Sequence, residues 1–242
     1  MVAEGVELVL LLAGAFIGSF VSAVCGFGGG FLILPLIVAV VGPRTAVPLI
    51  TLGLLFSNTT RLLLLRQFII WRMVWPYAAG GVIGAIIGGI VFTQLSTGFL
   101  FRSIGALLII SVIVRRWKTG DILADHIWVL TPVGVFIGFF SAVWGAVGPF
   151  AVPFFLATGI RKERFVATLA VGALCIHLAK ATVYGQYDLL HINLVKTGLA
   201  LGVMMIIGTW VGKQVLTRTT PRLFLILVDT LLVVIGVIFL VR

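Results

Sequence analysis

The stretch GFGGGFLILP, residues Gly26 to Pro35, decides how the chain is interpreted, because it sets four glycines beside an apolar run that ends in proline. In a soluble protein a glycine-rich turn before a helix indicates a phosphate site, provided that a βαβ unit surrounds it. The composition excludes that setting, because 61% of the 242 residues are hydrophobic, 10% are charged and the mean hydropathy is +1.27. Apolar runs close to the length of a bilayer crossing recur without strand-like alternation. We therefore predict an all-α integral membrane protein.

The basic residues fit a membrane protein better than a nucleic-acid-binding one. The net charge is +10, but the lysines and arginines are scattered through short connectors between apolar segments. Orientation in the bilayer explains such charges, so no nucleic acid partner is expected. Glu4 and Glu7 stand where a secretory signal would carry basic residues, and the first apolar run is interpreted as a permanent span. Cys25 and Cys175 are interpreted as small buried side chains rather than as a disulfide.

An internal repeat covers most of the chain. SAVCGFGGGFLILP in the first half matches SAVWGAVGPFAVP in the second with a one-residue gap. A tandem duplication is therefore predicted, with a first transmembrane repeat in residues 1–120 and a second in residues 121–242. A shift of 119 positions aligns Ser22 with Ser141, Gly53 with Gly172, Asn58 with His177, Arg61 with Lys180 and Gln67 with Gln186, and a shift of about 124 aligns Gly84 and Gly88 with Gly208 and Gly212.

Each half contains five apolar segments. The second segment of each half has only about 12 to 14 residues, fewer than the ~20 that a helix needs to cross the bilayer. A half-helix or a re-entrant segment is therefore predicted in both halves. The segments are 6–24, 28–41, 46–65, 73–93 and 98–114 in the first half, and 128–144, 147–158, 165–184, 192–213 and 222–240 in the second.

The basic residues between the segments predict the topology. If the first two segments of each half make an even number of crossings, 11 lysines and arginines lie on one side and 4 on the other. A single broken crossing would divide the same charges 8 to 7. Because cytoplasmic connectors carry the positive excess, the even number is favoured, with both termini outside. We expect two inverted five-segment repeats whose interrupted or re-entrant helices meet near the membrane midplane.

The glycines at the two interruptions predict a substrate site. In transporters with this architecture, half-helices point unpaired N–H groups and a positive dipole end at an anion. The candidate residues are Gly28, Gly29 and Gly30 in the first interruption and Gly148 in the second, where Pro149 suits the first turn of a helix. The alternative is that these glycines only permit close helix packing. Packing is the favoured interpretation of Gly80, Gly84 and Gly88, because their spacing places them on one helix face.

Arg61 and Lys180 lie inside apolar helices, each three residues after a polar partner, Asn58 and His177 respectively. A cation at membrane depth costs at least ~2.5 kcal/mol on insertion scales and marks a functional site by default. Snorkelling to the membrane surface is the alternative for either residue alone. Because the cation and its polar partner occur in both halves, all four residues are predicted to bind an anion.

Two further residues have open roles. Asp229 is the one acid deep in an apolar segment, and it either neutralises Lys180 or carries a coupling proton. The ion pair is favoured, because an unpaired carboxylate is costly within a span. His177 is able to titrate near neutral pH, although a histidine in a helix more often has a purely hydrogen-bonding role.

The glycine-rich break followed by proline, the helix SNTTRLLLLRQ and the repeat of the whole arrangement resemble the sulfite exporter TauE/SafE family of membrane transporters. The resemblance covers nearly the entire chain. It implies a multi-pass protein of the prokaryotic cytoplasmic (inner) membrane. It also implies transport of sulfur-containing anions such as sulfite or organosulfonates.

Three classes of function compete. A secondary transporter working by alternating access explains the inverted repeat, the two breaks and the paired cations together. An anion channel, or a transporter of another small organic anion, is the alternative. A membrane enzyme has no support, because the sequence shows no metal-ligand cluster, nucleophile triad or paired carboxylates, and we expect no metal and no cofactor. The expected partners are a small inorganic or organic anion and the lipid bilayer, while the coupling ion, a proton or sodium, and the oligomeric state stay open.

Overall fold

The computed structural model describes residues 5–25, 29–114, 126–160, 162–215, 237 and 239–241. Nine α-helices lie within these residues, and their bounds agree with nine of the ten predicted segments to within three residues. Gly28, Asp229 and most of the tenth segment lie outside the described residues. The helices are α1 (Gly5–Cys25), α2 (Gly29–Val41), α3 (Pro43–Leu65), α4 (Trp71–Gln94), α5 (Thr97–Val114), α6 (Leu130–Trp144), α7 (Gly148–Leu156), α8 (Lys162–Gln186) and α9 (Ile192–Val215).

The helices fall into long and short classes, as the sequence predicts. Within the described residues six segments are long and apolar enough to cross a membrane, and they correspond to α1, α3, α4, α6, α8 and α9. Helix α2 has 13 residues and α7 has 9. At 1.5 Å per residue they extend about 20 and 14 Å, short of the ~30 Å hydrocarbon core. The expectation that the second segment of each half is too short to cross as a helix is confirmed.

Helix α1 runs antiparallel to α2 and parallel to α9. Gly18 of α1 lies against Gly29, at the start of α2, and Gly14 lies against Leu36, further along it. A Cβ placed on Gly212, at the end of α9, would lie 2.5 Å from the carbonyl oxygen of Phe20, and Gly208 packs one turn earlier on the same stretch of α1. Residue numbers at the contacts rise together in α1 and α9, so these helices are parallel. They change in opposite directions in α1 and α2, so these helices are antiparallel.

Helix α3 also runs parallel to α9. The hydroxyl groups of Ser57 and Thr209 lie 3.0 Å apart, and further along both helices the Lys213 ammonium donates to the carbonyl oxygen of Leu64 at 3.2 Å. Because α1 and α3 share the direction of α9, the chain must return between them through α2. Together, α1 and α2 therefore make a hairpin rather than one broken crossing.

The second half packs in the same way on α4. Helix α4 contacts α6 and α8, just as α9 contacts α1 and α3. Its glycines Gly80, Gly84 and Gly88 press against backbone carbonyls of α6, where any Cβ would overlap the partner helix. The predicted packing role of these three glycines is confirmed. The fourth helix of each half thus packs on the other half, and α3 and α8 meet between them.

Candidate functional site

A cavity lies where α3 and α8 meet the starts of both short helices. Its volume is about 70 Å³, several times the roughly 10 to 15 Å³ that holds one water molecule, so a small ion fits. The start of α2 and the start of α7 both border it, so the two interruptions of the sequence face one space. The lining residues are Ser22, Gly29, Gly30, Phe31, Leu54, Asn58, Arg61, Tyr77, Ile137, Ser141, Ala146, Val147, Gly148, Leu169, Ala170, Ala173, Ile176 and His177.

Most of the predicted site residues gather at this cavity. Those that line it are Gly29, Gly30, Asn58, Arg61, Gly148 and His177. Lys180 does not line it, although it contacts two residues that do, Ser141 and His177. Gly28 and Asp229 lie outside the described residues, so the expected ion pair between Asp229 and Lys180 stays a prediction.

The first interruption is packed more tightly than the sequence argument assumed. Helix α2 begins at Gly29, two residues before the expected start near Phe31. Neither Gly29 nor Gly30 has a positive φ, so neither is needed here to leave helical geometry. A Cβ on Gly29 would lie 2.5 Å from the carbonyl oxygen of Gly18, and one on Gly30 would lie 2.6 Å from a methyl group of Leu54. Close packing, the alternative weighed from the sequence, therefore applies to both glycines while they also line the cavity.

The second interruption is formed by Gly145, a glycine that was not among the predicted site residues. Gly145 caps the end of α6 with a φ of +86°, a conformation that favours glycine. Its N–H donates to the carbonyl oxygen of Ser141 at 2.9 Å, and its own carbonyl faces Lys180. The available signal was the internal alignment, which pairs Gly145 with Gly26. Pro149 lies in the first turn of α7, as expected.

The first cluster places a guanidinium at the cavity. It consists of Ser22, Ser57, Asn58 and Arg61. Arg61 is 7% exposed and donates to the hydroxyl of Ser22 and, at 3.1 Å, to that of Ser57. Its Nε–H is buried and has no hydrogen-bond partner among the described residues. The side chain is held inside the protein rather than extended to the membrane surface, so the snorkelling interpretation does not fit. The residue lines the cavity and keeps one donor without a described partner.

In the second cluster the cation bonds to the other members of the cluster. These residues are Ser141, Gly145, His177 and Lys180. The fully buried Lys180 donates to the carbonyl oxygen of Gly145 at 2.7 Å and to the hydroxyl of Ser141 at 3.2 Å, and Nδ1 of His177 lies 3.4 Å from Nζ. With the His177 ring proton on Nε2, three neutral acceptors match the three hydrogens of an ammonium group. His177 and Ser141 stand between Lys180 and the cavity. The second cation therefore makes contact with the cavity wall only through these two side chains.

The two clusters share one arrangement. Arg61 and Lys180 each donate to a serine 39 positions earlier in the chain, Ser22 and Ser141 respectively. These serines were aligned by the internal repeat but not selected as site residues. Tyr77 was also missed; it lines the cavity, is buried and packs edge-on against Phe155 at 4.9 Å, and no pattern in the sequence marks it.

The cavity is positively charged as far as the structure describes it. The acids within the described residues are Glu7, Glu163 and Asp188, and none of them is buried. The same residues contain no cluster of three His, Cys, Asp or Glu side chains suited to a metal ion. An unneutralised guanidinium beside two helix starts favours an anion as the ligand.

The comparisons with known proteins agree with the resemblance seen in the sequence. The family model "Sulfite exporter TauE/SafE" matches residues 10–239 of the chain. No curated protein and no solved structure matches it. Since the match covers nearly the whole chain and the helices have the length and composition of membrane spans, this multi-pass integral membrane protein belongs to the sulfite exporter TauE/SafE family.

Proposed function

We propose that the chain is a secondary transporter that moves small sulfur-containing anions, such as sulfite or organosulfonates, across the prokaryotic cytoplasmic membrane. The family is named for sulfite export, which supports a sulfur oxyanion as the substrate class. The observation that carries the proposal is the convergence of both short-helix starts and the Arg61 guanidinium on one cavity. Backbone N–H groups and a guanidinium together suit an ion with several equivalent oxygens.

Arg61 is the residue proposed to contact the anion directly. A planar guanidinium is able to bind two oxygens of a sulfite or sulfonate group side by side, which an ammonium cannot do. Ser22 and Ser57 fix its orientation, and the free Nε–H is the donor that a bound oxygen would satisfy. Gly29, Gly30 and Gly148 bring the backbone close to the same space, and Asn58 and His177 add polar groups. Lys180 supports the site by holding His177 and the turn at Gly145.

The transport mechanism is proposed to rest on two inverted repeats, residues 1–120 and residues 121–242. Helix α1 runs parallel to α3, α6 packs parallel to α4, and the short link 66–70 reverses the chain between α3 and α4. The first helices of the two halves therefore run in opposite directions, which supports an inverted arrangement. With the charge distribution of the connectors, it supports both termini outside. Alternating access would follow from rocking of the halves around the shared cavity.

Counterflow in proteoliposomes tests the proposal. Vesicles loaded with unlabelled sulfite should accumulate external radiolabelled sulfite transiently, because a transporter exchanges one bound anion for another. Arg61→Gln should lose this exchange, while Arg66→Gln, an exposed arginine five positions later, should keep it. Sulfite flux without counterflow would identify a channel instead. If sulfite and a simple alkanesulfonate failed and an unrelated small organic anion exchanged, the substrate assignment would be wrong.

A further inference from the structure

The imidazole of His177 lies between Lys180 and the cavity. Its Nδ1 is 3.4 Å from the ammonium nitrogen of Lys180, and no described group bonds to its Nε2. The fully buried polar side-chain atoms without a partner among the described residues are Nε of Arg61 and Nε1 of Trp144, so Nε2 of His177 is not enclosed by protein. Because the side chain as a whole is buried and lines the cavity, its Nε2 opens into that cavity.

Lys180 determines which ring nitrogen of His177 carries the proton. A neutral imidazole has one N–H donor and one acceptor nitrogen. An ammonium group has only donors, so it bonds to the ring nitrogen that carries no hydrogen. With Nδ1 accepting from Lys180, the proton belongs on Nε2. His177 therefore presents an N–H donor to the cavity and offers no acceptor there.

Two serines at the cavity are left as donors in the same way. Ser22 accepts a hydrogen bond from Arg61, and Ser141 accepts one from Lys180 at 3.2 Å. A hydroxyl that accepts from a cation still has its own hydrogen to donate. Neither serine donates to a described group, and both line the cavity. Each cation thus leaves its neighbouring hydroxyl with a hydrogen for a ligand.

Asn58 is aligned with His177 by the internal repeat, but no hydrogen bond fixes its side chain. It is buried, lines the cavity and has no side-chain hydrogen bond to a described residue. An amide is able to present either its carbonyl oxygen or its NH2 group. Asn58 therefore adapts to the ligand, whereas His177 is held as a donor.

We propose that Lys180 is a positioning residue that holds His177 and Ser141 as donors, so that the site selects oxyanions whose oxygens carry no hydrogen. The proposal rests on the anion binding proposed above and defines the ligand chemistry of the same site. A sulfonate or a fully ionised sulfite has only acceptor oxygens. A hydrogen phosphonate has an O–H group, which cannot pair with an N–H donor. Buried donors left without a partner make a site reject such a ligand.

The simpler interpretation is that Lys180 is uncharged, accepts from an Nδ1–H of His177 and serves structure alone. Nitrogen NMR separates the two interpretations, because it reports which ring nitrogen is protonated. His126→Gln and His191→Gln remove the other two histidines of the chain, both exposed, and leave His177 as the one imidazole signal. We expect a protonated Nε2 and an unprotonated Nδ1 in this background. A proton on Nδ1, with or without one on Nε2, would overturn the proposal.

Lys180→Met tests the cause in the same background. Methionine fills a similar volume and has no hydrogen to donate, so nothing would hold the proton of His177 on Nε2. We expect the spectrum to show a mixture of the two neutral tautomers. An unchanged spectrum in Lys180→Met would show that Lys180 does not position the ring.

Ligand selectivity provides the functional readout. The probes are methanesulfonate and methylphosphonate, which have similar shapes, at a pH where methylphosphonate is a monoanion with one O–H group. Isothermal titration of the purified parent should show a preference for methanesulfonate of about tenfold or more, the scale of an unpaired buried donor. Lys180→Met should reduce this preference by about threefold or more. Lys196→Gln, which removes an exposed lysine, should keep it.

The outcomes separate a positioning role from a structural one. A structural Lys180 would weaken both anions alike and leave the preference unchanged, which would overturn the proposal, as would equal binding of both anions by the parent. His177→Asn, which introduces an adaptable amide like that of Asn58, should also reduce the preference and serves if Lys180→Met does not fold. If the parent bound neither anion, the proposed function would fall, while a proton on Nε2 would still show that Lys180 positions the ring.

Discussion

The two cation clusters have the same hydrogen-bonding arrangement, but their cations lie differently with respect to the cavity. In both, a basic side chain on the third helix of its half donates to a serine on the first helix. Arg61 faces the cavity and keeps a donor without a described partner, whereas Lys180 is fully buried behind Ser141 and His177. The same arrangement thus places one cation at the cavity and the other behind its wall. The geometry favours unequal contributions from the two halves, in line with the departure of the second interruption from the glycine-rich pattern of the first.

The chemistry of the two side chains explains the difference. An ammonium group has three hydrogens, and Lys180 has three acceptors within reach. A guanidinium has five, and Ser22 and Ser57 do not satisfy them all. The second interruption also has Ala146 and Val147 where the first has glycines. The first half is therefore better equipped to bind an oxyanion.

The largest effect is expected from Gly29→Val, at the contact between the start of α2 and α1, the helix that carries Ser22. The new Cβ would meet the carbonyl oxygen of Gly18 and the side chain of Ser22, so α1 and α2 must separate. We expect loss of sulfite counterflow and a lower melting temperature in detergent, since overpacking typically costs about 1 to 3 kcal/mol or more.

Gly30→Val is the matched control for this change. The three atoms nearest to its Cβ would all belong to the side chain of Leu54, which is able to shift, so more folded protein should be recovered. It should still lose transport, because a β-branched side chain at the helix start projects into the site. If Gly30→Val melted early but exchanged sulfite normally per folded molecule, the glycines would serve packing alone.

Arg61→Gln is expected to have the next largest effect. Loss of a charged hydrogen bond should weaken sulfite binding to purified protein by about 1 to 3 kcal/mol. Arg61→Lys should restore only part of this, because an ammonium cannot bind two oxygens side by side. Arg66→Gln is the control of equal charge. Parent-like binding by Arg61→Gln would remove the main support for an anion site.

Lys180→Gln should have a smaller effect on binding, and it tests the comparison itself. Because Lys180 acts through His177 and Ser141, its loss should weaken sulfite affinity by less than Arg61→Gln does, by about fivefold or less, corresponding to at most ~1 kcal/mol. Isothermal titration of both variants measures the difference. Equal losses would show that the two halves contribute equally and that the asymmetry between the clusters has no functional meaning.

The sequence predicts the secondary structure well and the site in part. Apolar segment lengths locate the nine described helices because a bilayer fixes how long a span must be. The repeated spacing identifies Arg61, Asn58 and His177 as residues that meet at one place. Tyr77 could not be found in this way, because its position depends on how α4 packs on the opposite half.

The burial of Lys180 illustrates the same limit. Its spacing from His177 is identical to that of Arg61 from Asn58, so the pattern assigns both cations one role. The difference arises from the turn at Gly145, whose carbonyl points at the ammonium. A glycine conformation of that kind is not encoded in periodicity. Local pattern identifies the pair, and tertiary packing decides which member reaches the cavity.

The smallest functional change is expected from two single-cysteine variants. Labelling of these cysteines tests whether the two halves are inverted. Lys118→Cys, in the connector between the halves, should react with an impermeant maleimide only from the cytoplasmic side. Lys196→Cys, an exposed position near the start of α9, should react only from outside. Both variants should transport sulfite like their cysteine-free parent. Labelling of residue 118 from outside would contradict the inverted arrangement.

The central claim is that a sulfur oxyanion binds between the starts of α2 and α7, in contact with Arg61. Selenite has the pyramidal shape of sulfite and an anomalous signal that locates it in a crystal. We expect one selenium peak in the main cavity within hydrogen-bonding reach of the Arg61 guanidinium, displaced by added sulfite and missing in Arg61→Gln. A sulfite-displaceable peak found only outside the main cavity, or a main-cavity peak that persists unchanged in Arg61→Gln, would contradict the account.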